Sequence, residues 1–107
     1  MGPKVILEKK ITNLEYMFCA CSCLKNIDGL KFLDTNDVNN FSYMFSGCSS
    51  LLELNGLKKW NVSKGNNFSY MFSWCSSLKD INGLQIGIYQ MKIIFQICFK
   101  DVYLCKI

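Results

Sequence analysis

The sequence predicts an α/β fold: a short parallel solenoid whose 27-residue repeats each contribute one short helix and one short parallel strand. A Met-Phe pair, a cysteine and a leucine each recur three times in phase, and Asp-Gly or Asn-Gly follows at the same point of every repeat. A fixed period of about 20–50 residues is typical of stacked repeats. The in-phase apolar residues, which we name the core ladder, are Met17, Met44, Met71, Phe18, Phe45, Phe72, Cys21, Cys48, Cys75, Leu24, Leu51 and Leu78.

A short helix is predicted at the start of each repeat. Asn40 opens the second repeat, and Asn is a favoured N-cap because its side chain accepts an orphan backbone N–H. The apolar residues after it recur at i, i+3, i+4 and i+7, the spacing of one helical face. These residues are Phe41, Met44, Phe45 and Cys48. The same arrangement follows Asn13 and Asn67.

A short strand is predicted next, over the Leu-x-x-Leu or Leu-x-x-Ile segment that includes Leu51 and Leu54. The following Asn55-Gly56 ends it, because both residue types tolerate a positive φ. One such unit offers too few apolar residues to offset the entropy of ordering its chain. Stacking on neighbouring units is therefore required.

The period also divides the chain. The expected parts are a partial repeat at 1–10, three repeats at 11–37, 38–64 and 65–84, and a non-repeat apolar tail at 85–107. Apolar and polar residues alternate in the tail, which predicts a strand that caps the last repeat. A helix using Met91, Ile94, Phe95 and Cys98 is the competing interpretation, and a non-native read-through is a third.

Composition narrows the function. The 107 residues carry 12 basic side chains, all lysines, against 8 acidic ones, and there is no His. Without His there is no Ser-His or Cys-His pair and no imidazole base, so we expect a non-enzymatic protein without a cofactor. Scattered lysines without Arg do not predict nucleic-acid binding. The sequence contains no run of 18 uncharged apolar residues, so no membrane span is predicted.

Cysteines and aromatic residues offer two alternatives to core packing. The cluster Cys19-x-Cys21-x-Cys23 holds three thiols, but the spacing is not a usual zinc pattern, so no metal site is predicted. Cysteines on an apolar face are better explained as small core residues than as disulfides. An aromatic ladder could form from one set of residues, and packing in the core or at its rim explains the set better than carbohydrate stacking does. The set comprises Tyr16, Tyr43, Tyr70, Trp60 and Trp74.

Two polar columns are the predicted binding site. If the leucines of the predicted strands face inward, the residues between and beside them face outward in register. Repeat proteins use such strips as binding surfaces. The columns comprise Asn26, Glu53 and Asp80, and Asp28, Asn55 and Asn82. Ordinary polar surface is the alternative, since Asx before Gly also favours a turn.

The segments Phe41–Leu51 and Phe68–Leu78, with Trp60-Asn61-Val62-Ser63 between them, carry the signature Met-Phe-x-x-Cys-x-x-Leu. This signature resembles that of BspA-type leucine-rich repeats and of a related surface-protein repeat domain of unknown function. The resemblance implies a leucine-rich-repeat-like solenoid in a cell-surface or secreted protein with an adhesive or host-binding role. The first eight residues contain too short an apolar run for a signal peptide.

Taken with the polar columns, the resemblance leads to an expected function. We expect a binding or adhesion module, a fragment of a larger repeat-containing surface protein, whose partner is a protein or a cell-surface ligand. The alternative is a structural spacer or self-assembly segment without a ligand, which would associate end to end through its exposed repeat ends.

Overall fold

The computed structural model describes residues 10–78. The predicted tail at 85–107, the predicted partial repeat apart from its last residue, and the end of the third repeat lie outside the described residues. Within residues 10–78 the three units are called here the first unit (11–37), the second unit (38–64) and the third unit (65–78).

The predicted α/β solenoid with one helix and one strand per repeat is wrong. Residues 10–78 contain no α-helix and no β-strand. Their only regular elements are two 3₁₀ helices, Asp28–Phe32 and Asn55–Leu57, and the remainder is coil and turns. Isolated parallel bridges join Asn13 to Asn40 and Asn40 to Asn67.

Backbone hydrogen bonds explain why the segment after each Asn is not a helix. Alternate N–H groups leave their own unit: those of Phe41 and Tyr43 donate to carbonyls of the third unit at 2.8 and 3.0 Å. Met44 follows Tyr43 and precedes Phe45, the next residue that donates to the third unit. The N–H of Met44 bonds only three residues back, to the carbonyl of Phe41 at 3.2 Å. An α-helix requires every N–H to bond four residues back. The alternation gives a chain of turns tied to the neighbouring unit.

Backbone dihedrals show the same departure from a helix. The three in-phase tyrosines have φ between 57° and 62°, and the position four residues later is also left-handed. That later position is held by Ala20, Gly47 and Trp74. A left-handed residue costs roughly 1–2 kcal/mol when it is not glycine. Hydrogen bonds and burial between the units offset this cost, so tertiary contacts override the helical preference of the local sequence.

Asn at the start of each unit closes a turn and caps no helix. The Oδ1 atoms of Asn13, Asn40 and Asn67 accept hydrogen bonds from the N–H two residues later at 2.8, 2.9 and 3.0 Å. An Asn side chain forms such an Asx turn as readily as an N-cap. The sequence signal for a capped helix and for this turn is therefore the same.

Gly29 and Gly56 lie within the two 3₁₀ helices, and neither uses the positive φ that glycine tolerates. Gly56 is needed for space. A Cβ built on it would lie 2.1 Å from the carbonyl oxygen of Ile27 in the first unit. The backbones of the two units therefore approach closely at this point.

The core lies between the units. Its largest fully buried side chains are Phe41, Phe45, Phe68, Phe72, Met44, Leu51, Leu54, Leu57, Met71 and Val38. Phenylalanine rings stack in phase: Phe18 on Phe45 at 5.6 Å, and Phe45 on Phe72 at 5.5 Å between centroids. Trp60 fills the space beside Phe41, and its indole N–H donates to the carbonyl of Leu30 at 2.8 Å. Contact between units thus buries the apolar side chains.

Candidate binding surface

The predicted polar columns have a local structural role. The Oδ1 atom of Asn26 accepts the N–H of Asp28 at 2.8 Å, and the Oε2 atom of Glu53 accepts the N–H of Asn55 at 2.7 Å. These bonds hold the chain as it enters each 3₁₀ helix. Asp28 and Asn55 are exposed. The last member of each column, Asp80 and Asn82, lies outside the described residues.

The core ladder is buried in the second and third units and partly open in the first. Met17 is 50% exposed, while the equivalent Met44 and Met71 are 0% and 1% exposed. Cys21 is exposed, whereas Cys48 and Cys75 are buried. The first-unit residues that are exposed or half-buried where their equivalents are buried include Met17, Phe18, Cys21, Leu24 and Leu30. We name this set, with the backbone that carries it, the open edge.

The backbone of the open edge presents acceptors. Each unit donates N–H groups to the next: the N–H groups of Leu14, Tyr16, Phe18 and Ala20 bond carbonyls of the second unit at 2.6–3.1 Å. The carbonyls that occupy the accepting positions in the first unit make no hydrogen bond within the described part of the chain. They belong to Asn13, Glu15, Met17 and Cys19.

A shallow cavity of about 160 Å³ continues the open edge beside the first 3₁₀ helix. Its wall is mostly apolar, and it is lined by Phe18, Leu24, Asn26, Ile27, Gly29 and Leu30. A Cβ built on Gly29 would meet no atom within 4 Å. Next to Gly56 the backbone of the first unit fills the space where a Cβ would lie. Next to Gly29 no described residue fills the equivalent space.

A row of three tyrosine rings, which we name the tyrosine stack, crosses the units on the surface. Tyr16 lies on Tyr43 with centroids 4.7 Å apart and planes within 12°, and Tyr43 lies on Tyr70 at 5.0 Å and 19°. Tyr16 is 50% exposed. The left-handed backbone at each tyrosine and the bonds between units set the positions of the rings.

Polar groups flank the tyrosine stack at its exposed end. The Nδ2 group of Asn40 donates to Oε2 of Glu15 at 2.7 Å. Partial desolvation raises the pKa of Tyr16 above its ordinary value, with further contributions from Tyr43 and the Glu15 carboxylate. Tyr16 is therefore a neutral phenol at physiological pH, able to donate and accept hydrogen bonds.

Two further aromatic residues, Trp60 and Trp74, were considered for a surface row. Trp60 is buried in the core. Trp74 is exposed and belongs to the left-handed position shared with Ala20 and Gly47.

The thiols divide into two environments. Cys48 and Cys75 donate through Sγ to the carbonyls of Phe18 and Phe45, each at 3.1 Å. Burial raises the pKa of Cys48 to about 11, and the nearby Cys21 thiol adds to this effect. The thiols of the predicted cluster at 19, 21 and 23 are free and more accessible. Among residues 10–78 no group of three or more side chains is arranged to hold a metal ion.

Thiol labelling should separate these environments. At pH 8, N-ethylmaleimide is expected to modify Cys21 and Cys23 in the folded chain, because both thiols are exposed to the reagent. Cys48 should stay unmodified until urea unfolds the chain, since at a pKa of about 11 only about 0.1% of it is thiolate at that pH. Peptide mapping by mass spectrometry measures each site. Equal labelling of Cys21 and Cys48 would contradict this placement.

Two features of this surface were not predicted from the sequence. The buried hydroxyls of Ser46 and Ser73 bond each other at 2.7 Å, although serine is mostly an exposed residue in proteins. The acceptor row of the open edge depends on the direction of hydrogen bonds between units, which side-chain patterns do not specify.

Comparison with known proteins places the chain in a family. Residues 7–101 match the family model described as Mycoplasma protein of unknown function, DUF285. The chain belongs to this family. No curated protein and no solved structure matches it significantly. The in-phase repeats of this chain lie within the residues that match DUF285. Across residues 10–78 no helix has the length and apolar character to cross a bilayer.

Proposed function

We propose that this DUF285 protein is a non-enzymatic binding or adhesion module that contacts a protein or cell-surface ligand through the tyrosine stack. The observation that carries the proposal is the stack itself, three in-phase rings about 5 Å apart with the first half-exposed. Tyrosine supplies a large, rigid contact area at low entropic cost and is enriched at binding hot spots. The resemblance of the repeat signature to BspA-type surface repeats supports an adhesive role.

Electrostatics around the stack favour a ligand with both apolar and hydrogen-bonding groups. The ring faces and edges offer apolar contact, while the phenol of Tyr16 and the carboxylate of Glu15 offer a donor and acceptors beside it. The polar columns contribute less to this proposal, because Asn26 and Glu53 already use their side chains to hold turns.

Cell attachment tests the proposal. Beads coated with the full chain should adhere to an animal epithelial monolayer, and Tyr16→Ala should reduce attachment several-fold by removing the exposed ring of the stack. Leu52→Ala is the matched control, since Leu52 is similarly exposed at 56% but lies outside the stack. Wild-type attachment no higher than that of albumin-coated beads, or equal attachment of both variants, overturns the proposal.

A structural spacer or self-assembly segment is the second candidate, and the open edge favours it. Sedimentation velocity of the full chain over a range of concentrations tests this alternative. Concentration-dependent association without cell attachment would support self-assembly in place of adhesion.

A further inference from the structure

We propose that the open edge is a peptide-binding surface that takes, from a separate polypeptide, a segment with the repeat signature Asn-Phe-x-Tyr-Met-Phe. The inference rests on the proposed function and deepens it by naming a partner, and it adds Met17, Phe18 and the acceptor carbonyls to the exposed ring of Tyr16. It rests on three matches between the open edge and the contacts already made between the units.

The first match is hydrogen bonding. The four carbonyls at positions 13, 15, 17 and 19 lie two residues apart and make no bond within residues 10–78. In the second unit, the equivalent carbonyls each accept an N–H from alternate residues of the first unit. The partner must therefore present N–H donors at alternate residues.

The second match is apolar. Met17 and Phe18 are exposed or half-buried here, while at both deeper positions the equivalent side chains are buried by a neighbouring unit. The cavity beside Gly29 leaves room for a backbone to approach as closely as Ile27 approaches Gly56. An incoming segment of the same type would bury these groups and continue the rows of Phe and Tyr rings.

The third match concerns the residue two positions after the Asn of the partner segment. Between the first and second units, Asn40 donates from Nδ2 to the carboxylate of Glu15 at 2.7 Å. Asn13 is the equivalent donor at the open edge and is exposed. A partner with Glu two residues after its Asn would accept this bond. Hydrogen bonds to charged groups are stronger than neutral ones, so we expect Glu at this position to tighten binding severalfold.

Fluorescence anisotropy with the full chain and a labelled peptide tests the inference. The peptide copies residues 38–54, under reducing conditions, and a second peptide carries Ser42→Glu. We expect saturable binding of the first peptide and tighter binding of the second. A third peptide, N-methylated at Tyr43 and Phe45, lacks two of the alternate donors and should bind at least tenfold more weakly.

A pair of chain variants locates the surface. Met17→Lys should weaken peptide binding at least tenfold, because it places a charge on the open edge. Leu52→Lys, at a similarly exposed position of the second unit, should change it less than twofold. Both side chains are half-exposed, and thermal unfolding of each variant checks that the fold is retained. The N-methylated peptide provides the test if Met17→Lys unfolds the chain.

Several outcomes overturn the inference. They are the absence of saturable binding up to about 1 mM peptide, equal effects of the two lysine variants, and equal binding of the N-methylated peptide. Association of the chain alone that Met17→Lys abolishes would show that the open edge takes a second copy instead. Saturable peptide binding by a chain that does not attach to cells would overturn the proposed function alone, and attachment without peptide binding would overturn this inference alone.

Discussion

Gly56→Ala is expected to lower the free energy of unfolding by about 3 kcal/mol or more. The added Cβ would lie 2.1 Å from the carbonyl oxygen of Ile27, 2.7 Å from its carbon and 3.0 Å from Cα of Asp28. These are backbone atoms, so no side chain can rotate to make room. The first and second units must move apart to accept the methyl, and packed interiors tolerate such shifts poorly.

Gly29→Ala is the matched control, because Gly29 occupies the same position one repeat earlier. Its added Cβ would meet nothing within 4 Å, and its φ is outside the left-handed region. Alanine there should be neutral or stabilise by up to about 1 kcal/mol through the reduced entropy of the unfolded chain. Urea unfolding followed by circular dichroism measures both variants. Equal stabilities for Gly29→Ala and Gly56→Ala would mean that the units do not approach at this position.

The comparison of Gly29 with Gly56 shows that a recurring glycine does not reveal its structural role. The Asx-Gly pairs were interpreted as turns because both residue types tolerate a positive φ, and in-phase repetition gave no way to tell a turn from a need for space. Both produce glycine. Only the backbone of Ile27, brought next to Gly56 by contact between units, distinguishes them.

Helix prediction failed for a related reason. Apolar residues at i, i+3, i+4 and i+7 indicate which side chains are buried together, and Phe41, Met44 and Phe45 are indeed buried in the structure. The pattern does not specify the hydrogen bonds of the backbone. Here alternate N–H groups bond the next unit, and left-handed residues such as Tyr43 interrupt any helix. Long-range pairing decides the local conformation, and a single repeat contains no information about it.

The candidate surfaces were predicted unevenly. The tyrosine stack can be predicted from the 27-residue period, since in-phase residues of neighbouring units lie side by side. The polar columns were placed by assuming a strand with alternating faces, and the structure has no strand in residues 10–78. Asn26 and Glu53 instead bond the backbone two residues ahead. The open edge could not be predicted, because it depends on which direction N–H groups point between units.

Phe45→Ala is the second variant with a large expected effect, about 3–5 kcal/mol of lost stability. The ring of Phe45 is fully buried between two others, 5.6 Å from that of Phe18 and 5.5 Å from that of Phe72. Removing it leaves a cavity in the centre of the core and breaks two stacked pairs, each worth about 0.5–1.5 kcal/mol beyond burial. For a domain of about 100 residues this loss corresponds to a fall in Tm of about 10 °C or more.

Phe18→Ala gives the matched comparison, since the backbones of the two residues make the same contacts. Each N–H donates to the next unit, and each carbonyl accepts a cysteine thiol at 3.1 Å. The side chains differ: Phe18 is half-buried at the open edge and stacks on one ring. Its loss should therefore cost about half as much or less. Thermal and urea unfolding of both variants would measure the difference. Similar losses for the two would indicate that Phe18 is covered as fully as Phe45 in solution, and the open edge would then not be open.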